Sequence, residues 1–220
     1  MPKLKVPGLQ LLVHMGALLP LAWLAWQFSQ DNLTANPIRE IQLRTGKYAL
    51  NLLVLSLACT PVNNIFGFKP ARRLRRTLGL YTFGYAALHL LVFIGLDYGF
   101  NFALIREGIA AKPFALVGLA AFLILLPLAI TSTKGWVKRL GKNWSRLHRL
   151  LYVAAVLAVL HFIWITKSKA DLRVPLIYGG IIVILLIVRI PVIRMLISRH
   201  VHRFIEKPAP ATNHDTSNTW

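Results

Sequence analysis

The sequence predicts an all-α membrane protein, a bundle of six transmembrane helices. Hydrophobic residues make up 56% of the chain, the mean hydropathy is +0.57, and only 15% of the residues are charged. An α-helix needs about 20 apolar residues to cross the hydrocarbon core of a bilayer. Apolar runs close to this length recur at residues 9–28, 48–66, 78–98, 113–132, 149–166 and 174–193.

The first two runs predict helices of different regularity. The first follows the basic start MPKLK, but Trp23 and Trp26 stand where a signal peptide would have its small-residue cleavage site. We therefore expect a retained helix with an interfacial aromatic belt. Asn51, Pro61 and two further asparagines interrupt the second run, so its C-terminal end is expected to be irregular.

The remaining sequence predicts one membrane domain without a soluble catalytic unit. No Walker A loop or dinucleotide-binding fingerprint occurs, and the connections are short. Gly179 and Gly180 fall within the sixth run, where small residues permit close helix contact. We expect a six-helix transmembrane domain at residues 1–205 and a polar, disordered tail at residues 206–220.

The net charge is +19, and the basic residues are distributed in alternate connections between the spans. Eighteen of the 26 Lys and Arg residues lie at the two termini and in alternate connections, and the other eight share the remaining connections with five of the seven acids. The positive-inside rule therefore places both termini and the loops 67–77 and 133–147 in the cytoplasm, and the connections 30–46, 99–112 and 167–173 outside. The basic faces are expected to meet anionic membrane lipid, with partner docking or a cofactor phosphate as the alternative, and not nucleic acid.

Three histidines within the predicted spans define the functional question. His89 lies in the third span, and His148 and His161 share the fifth, about 20 Å apart at a rise of about 1.5 Å per residue. Imidazole in hydrocarbon is costly and usually binds or relays something. His89 and His161 are expected at similar depth, where they would hold one haem iron from both sides. Since Cys59 is the single cysteine, we interpret it as a packing residue and expect the haem to be non-covalent.

The environments of the other membrane-embedded histidines leave alternatives open. His148 begins the fifth span at the membrane edge. It is interpreted either as a metal ligand or as an interfacial cation. At about 100° per residue, it lies about 140° from His161 around a straight helix, so either the helix deviates locally or the two sites are approached from different sides. His14 is interpreted as bonding to a neighbouring helix. Arg146 and Arg149 are candidates for haem propionates, although lipid contact is the default interpretation.

The segments around these histidines resemble the haem helices of the ferric reductase-like transmembrane superfamily, which includes the NADPH oxidases. The similar segments are YTFGYAALHLLVF, with His89, and SRLHRLLYVAAVLAVLHFIW, with His148 and His161. The TPVNN end of span two and the loop GFKPARRLRRTLGLY resemble a short six-span form without a nucleotide domain. The resemblance covers about residues 8 to 200, and it implies haem b as the cofactor.

One position departs from the family pattern. The oxidase relatives carry two histidines on each haem helix, about thirteen or fourteen residues apart. Here the partner of His89 would fall near residue 75, which is Arg75, with Arg76 beside it. Arginine is a poor iron ligand because its guanidinium stays protonated. The resemblance therefore implies one or two haem groups. A site at His148 could have Arg75 as an unusual neighbour, be five-coordinate or be absent.

The leading functional interpretation is a cytochrome b of the bacterial inner membrane that serves an oxidoreductase as its electron-transfer subunit. The resemblance implies a periplasmic molybdopterin-containing methionine sulfoxide reductase as acceptor and the quinone pool or a cytosolic flavin reductase as donor. It also implies FMN as a candidate second cofactor. The alternative is a small transporter or proton-relay protein, which is disfavoured because no Asp or Glu lies in the middle of a span and no inverted repeat of spans is evident.

Overall fold

The computed structural model describes residues 6–166, 172–190, 193 and 195. In these ranges the secondary structure is helical, which confirms the predicted all-α fold for this part of the chain. The predicted tail, 206–220, and the domain boundary at 205 lie outside it. The elements are α1 (Val6–Ser29), α2 (Pro37–Phe66), α3 (Pro70–Leu91) with a π-helical segment (Val92–Asp97), α4 (Phe102–Ala111), α5 (Pro113–Ile130), α6 (Lys134–Leu140), α7 (Lys142–Leu147), α8 (Leu150–Ile165) and α9 (Arg173–Ile187).

Five helical units in the described ranges are long and apolar enough to cross a membrane. They are α1, α2, α3 with its π-helical segment, α5 and the combined α7–α8. The predicted sixth span coincides with α9, whose 15 residues are fewer than the roughly 20 that a span needs. The protein is therefore a multi-pass helical membrane protein, and the sixth span stays a prediction.

Helix α2 corrects the expectation of an irregular C-terminal end. It is continuous over 30 residues and passes through Pro61 to Phe66. Proline has no N–H, so the carbonyl of Leu57, one turn earlier, lacks its helical donor. Arg189 supplies a replacement, because its Nη2 donates to Leu57 O at 2.5 Å. The predicted irregularity was wrong because a distant side chain satisfies the free carbonyl. The helix ends at Gly67, whose φ of +67° suits glycine.

Four stretches assigned to loops contain helix, and one of them is 67–77, whose residues from Pro70 onward form the first turns of α3. The first turns of α2 lie in the predicted connection 30–46, where the Asn36 side chain accepts a hydrogen bond from the backbone N–H of Arg39 at 3.0 Å. Helix α4 occupies most of 99–112, and α6 with α7 occupies most of 133–147. The π-helical end of α3 was also not predicted. These segments are short or carry charge, so hydropathy did not reveal them.

The core forms where α2, α5, α8 and α9 meet. Helix α2 packs mainly on α3, and α5 packs mainly on α8. Leu57 and Ala155 are completely buried in the central cluster, and Ile182 of α9 is nearly so. The predicted close approach at the glycine pair is confirmed at Gly179, where a Cβ would lie 3.3 Å from a methyl of Val159, but not at the neighbouring glycine.

Helix α1 attaches to α3 through two polar contacts. The His14 ring nitrogen Nδ1 lies 2.8 Å from the Tyr81 hydroxyl, which confirms that His14 bonds to a neighbouring helix. The Tyr85 hydroxyl donates to the Ala17 carbonyl at 2.5 Å. Cys59 is buried in the adjoining cluster and forms no disulfide, as expected for a packing residue.

Candidate functional site

The structure brings His89 of α3 and His161 of α8 together inside the bundle. Their ring centroids are 6.1 Å apart, and the ring planes are nearly perpendicular, at 84°. Helix α5 packs against both α3 and α8, and this packing brings the two histidines close together. The two rings that the sequence places at similar depth therefore lie next to each other inside the bundle.

Hydrogen bonds to backbone carbonyls define the tautomer of both rings. His89 Nδ1 donates to the Gln42 carbonyl at 2.9 Å, and His161 Nδ1 donates to the Phe114 carbonyl at 2.7 Å. A carbonyl oxygen can only accept, so each Nδ1 carries the ring hydrogen in the neutral imidazole. The Nε2 lone pairs then remain available, which is the form in which histidine binds a metal.

A glycine stands beside each ring of the pair. A Cβ on Gly46 would lie 3.1 Å from His89 Nδ1, and a Cβ on Gly118 would lie 2.8 Å from His161 Nδ1. In both cases the glycine follows the accepting carbonyl by one helical turn, and both hydrogen bonds join residues 47 positions apart. The chain thus builds two equivalent half-sites, one from α2 and α3 and one from α5 and α8. Sequence reasoning missed both glycines, although their equal spacing from the histidines was a usable signal.

His148 has a different environment. It lies in a turn between α7 and α8, so the helix deviates locally there, which was one of the two alternatives that its spacing from His161 left open. Its ring stacks on Trp144, with centroids 4.0 Å apart, and its Nε2 lies 3.2 Å from Thr131 Oγ1. Since the Thr131 hydroxyl donates to the Pro127 carbonyl at 2.6 Å, it accepts from His148, and Nε2 carries the hydrogen. His148 is therefore held in the tautomer opposite to that of the pair.

Positive charge lies near His148. Arg75 is half-buried on α3, and its charge acts on both His148 and Arg189. The Arg189 guanidinium lies 5.0 Å from the Tyr152 ring centroid and donates to the Tyr152 hydroxyl at 2.6 Å. Its buried Nε has no partner among the described residues. Arg146 and Arg149 are exposed. This environment suits an anionic group better than a free cation.

The side chains around the histidine pair differ from those that usually bind a single metal ion. In residues 6–166 and 172–190, no group of three or more His, Cys, Asp or Glu side chains could hold a metal ion. The one ion pair found there joins Arg44 and Glu40 on α2. Two imidazoles would be enough to hold a haem, because its macrocycle supplies the other iron ligands.

The fold and the opposed imidazoles together define a multi-pass helical membrane protein with a candidate haem site inside its bundle. Residues 44–159 match the family described as the ferric reductase like transmembrane component, a range that includes His89 and His148 and ends just before His161. The chain therefore belongs to the ferric reductase-like transmembrane family, and relatives that are 43% to 49% identical over about 80% of it place it in the MsrQ group of that family.

Those relatives cover most of the chain. A protein of Xanthomonas axonopodis pv. citri, named protein-methionine-sulfoxide reductase heme-binding subunit MsrQ, is 49% identical over 181 residues, which are 80% of this chain and 82% of that protein. A protein of the same name from Xanthomonas campestris pv. campestris is 48% identical over 79% of this chain and 82% of its own length. Another, from Caulobacter vibrioides, is 43% identical over 81% of this chain and 85% of its own length.

Proposed function

We propose that this protein is a membrane cytochrome b in which His89 and His161 hold one haem between α3 and α8. The main support for this proposal is the position of the His89 and His161 rings, whose centroids are 6.1 Å apart. Metal–imidazole bonds are about 2 Å long, so two imidazoles on opposite sides of one metal have ring centres about 6 Å apart. Both Nδ1 hydrogens are engaged by carbonyls, which leaves Nε2 as the ligand atom on each side.

The chain's own residues bind and orient the haem, which supplies a one-electron carrier when bound. His89 and His161 would hold the haem iron through Nε2, and the carbonyls of Gln42 and Phe114 keep each ring in the tautomer that can bind a metal. The names of the relatives, which describe heme-binding subunits, support this cofactor.

The proposed role is to carry electrons to the catalytic subunit of a protein-methionine-sulfoxide reductase. The relatives' names support such a partner. By family resemblance the partner is periplasmic and contains molybdopterin, the donor is the quinone pool or a cytosolic flavin reductase, and FMN is a second cofactor. The proposal places the chain in the bacterial inner membrane with six spans, α9 being the sixth, and with both termini in the cytoplasm. Electrons then move outward, towards the end of the bundle that holds His89 and His161.

A second haem would use His148, with Arg75 as its neighbour. The present contacts of His148 fit this group less well than those of the pair. Its Nε2 donates to Thr131, so iron binding there requires that hydrogen bond to break. The nearby charges of Arg75 and Arg189 would in turn suit haem propionates.

An absorption spectrum of the purified protein tests the proposal. Protein made with ample haem is expected to show the sharp reduced bands of a low-spin bis-histidine haem b. His89→Ala and His161→Ala should abolish these bands, because each removes one axial ligand. His14→Ala is the matched control, since it removes a membrane-embedded histidine that bonds to Tyr81. Folded parent protein with no haem band would reject the proposal and favour the transporter alternative.

A further inference from the structure

Each imidazole of the pair is held by two features of a helix other than its own, a carbonyl oxygen and a glycine. We propose that Gly46 and Gly118 are positioning residues that, together with the carbonyls of Gln42 and Phe114, set the plane of each axial imidazole. This inference rests on the proposed haem site. It assigns a role to two residues that make no contact through a side chain.

Steric contact with the glycines limits how each ring can turn. A Cβ on Gly118 would lie 2.8 Å and 2.9 Å from two atoms of the His161 ring, closer than real Cβ contacts allow. A Cβ on Gly46 would lie 3.1 Å and 3.2 Å from two atoms of the His89 ring, which requires a shift of a few tenths of an ångström. In either case the ring must move away from the helix whose carbonyl it binds. Because the glycine and the carbonyl lie on the same helix face, alanine would disturb the steric contact and the hydrogen bond together.

The equivalence of the two half-sites argues that this arrangement is specific. The same order of carbonyl, glycine one turn later and histidine 47 positions after the carbonyl occurs on α2 with α3 and on α5 with α8. A glycine in a helix interior is less favourable than alanine, so its use at both places needs a reason. Close approach of the imidazole supplies that reason.

The angle between the ring planes gives the proposal a spectroscopic readout. The planes cross at 84°. Each axial imidazole interacts with the iron dπ orbital perpendicular to its own plane, so crossed imidazoles keep the two dπ orbitals close in energy. Low-spin ferric iron then gives an electron paramagnetic resonance signal with a large maximum g value. Turning one ring towards the other separates the orbitals and lowers that value.

The test compares Gly118→Ala and Gly46→Ala with Gly84→Ala in the haem-loaded protein. Gly84 is the matched control because it lies on the helix of His89 and has no neighbour within 4 Å of a built Cβ. We expect Gly118→Ala to lower the maximum g value, convert part of the haem to high spin and shift the reduction midpoint. Gly46→Ala should show a smaller shift in the same direction, and Gly84→Ala should match the parent protein.

Unchanged g values and midpoints in both Gly46→Ala and Gly118→Ala would overturn the positioning role while leaving the haem assignment intact. If Gly118→Ala does not fold, Gly46→Ala decides the question, because its contact is milder. Absence of haem from the folded parent protein would instead reject the proposed function itself. Haem content and spectra are therefore measured on the parent first.

Discussion

At the scale of single residues, hydrogen bonding distinguishes three histidines of identical chemistry. His89 and His161 donate from Nδ1 to carbonyls and keep Nε2 for a ligand. His148 donates from Nε2 to a threonine hydroxyl and stacks on a tryptophan. Their capacity to bind iron thus differs because of their neighbours, so the pair and His148 are expected to respond differently to substitution.

His148→Ala is expected to leave the absorption bands of the His89 and His161 haem largely intact. It should remove a separable haem component or block reduction from the cytoplasmic side, because His148 is the candidate ligand there. Arg75→Ala should perturb the same component, since its charge acts on His148. Haem stoichiometry and redox titration measure both effects, with the exposed Arg72→Ala as control. One haem per chain, with both variants fully reducible by the physiological donor, would confine the electron path to the pair.

At the scale of elements, the continuity of α2 depends on a residue that follows α9. Pro61 leaves the Leu57 carbonyl without its helical donor, and Arg189 donates to that carbonyl. Arg189 also binds the Tyr152 hydroxyl of α8, so one guanidinium joins three helices. An unpaired carbonyl inside the bilayer is costly, which gives this contact a structural role in the bundle.

Arg189→Leu is expected to lower the thermal unfolding temperature of the purified protein. Interhelical hydrogen bonds in membranes contribute about 0.6 kcal/mol on average and up to about 2 kcal/mol. Pro61→Ala should recover part of the loss, because its backbone N–H can bond to Leu57 within the helix. The exposed Arg173→Leu, at the start of α9, is the control. Strictly additive effects of the two substitutions would contradict this coupling.

At the scale of the whole molecule, the arrangement of charge predicts how the bundle lies in the membrane. Basic residues are concentrated in the first turns of α3 and in the region of α6 and α7, whereas the acids Asp31, Glu40, Asp97 and Glu107 lie towards the opposite ends of the helices. The positive-inside rule assigns the basic end to the cytoplasm. With this orientation and the proposed direction of electron flow, His148 and Arg75 would lie on the side of the electron donor.

Reporter fusions along the chain test this orientation. Fusions in 67–77 and 133–147 are expected to report a cytoplasmic location, and those in 30–46, 99–112 and 167–173 an external one. A fusion behind residue 207 adds the C-terminus, which should be cytoplasmic if α9 belongs to a sixth span. A cytoplasmic signal from the segment 99–112 would reverse the proposed direction of electron flow.

Features that depend on local composition could be predicted, and features that depend on long-range partners could not. Hydropathy located α1, α2, α3, α5 and α8, because a bilayer imposes a minimum apolar length. It misjudged the end of α2, since the residue that satisfies the free Leu57 carbonyl lies 132 positions away. It also missed α4, α6 and α7, whose formation depends on helix caps such as Asn101 and Thr133.

The sequence by itself determined a helical membrane protein with two histidines at similar depth. Apolar run length and the fixed rise of an α-helix suffice for that conclusion. Only the tertiary structure decided that these rings lie next to each other, that each is the Nδ1–H tautomer, and that the missing side chains of Gly46 and Gly118 leave space for them. The physical reason is that a histidine's tautomer and ring plane depend on the acceptor it reaches, and here each acceptor lies 47 residues away on a helix brought close by packing.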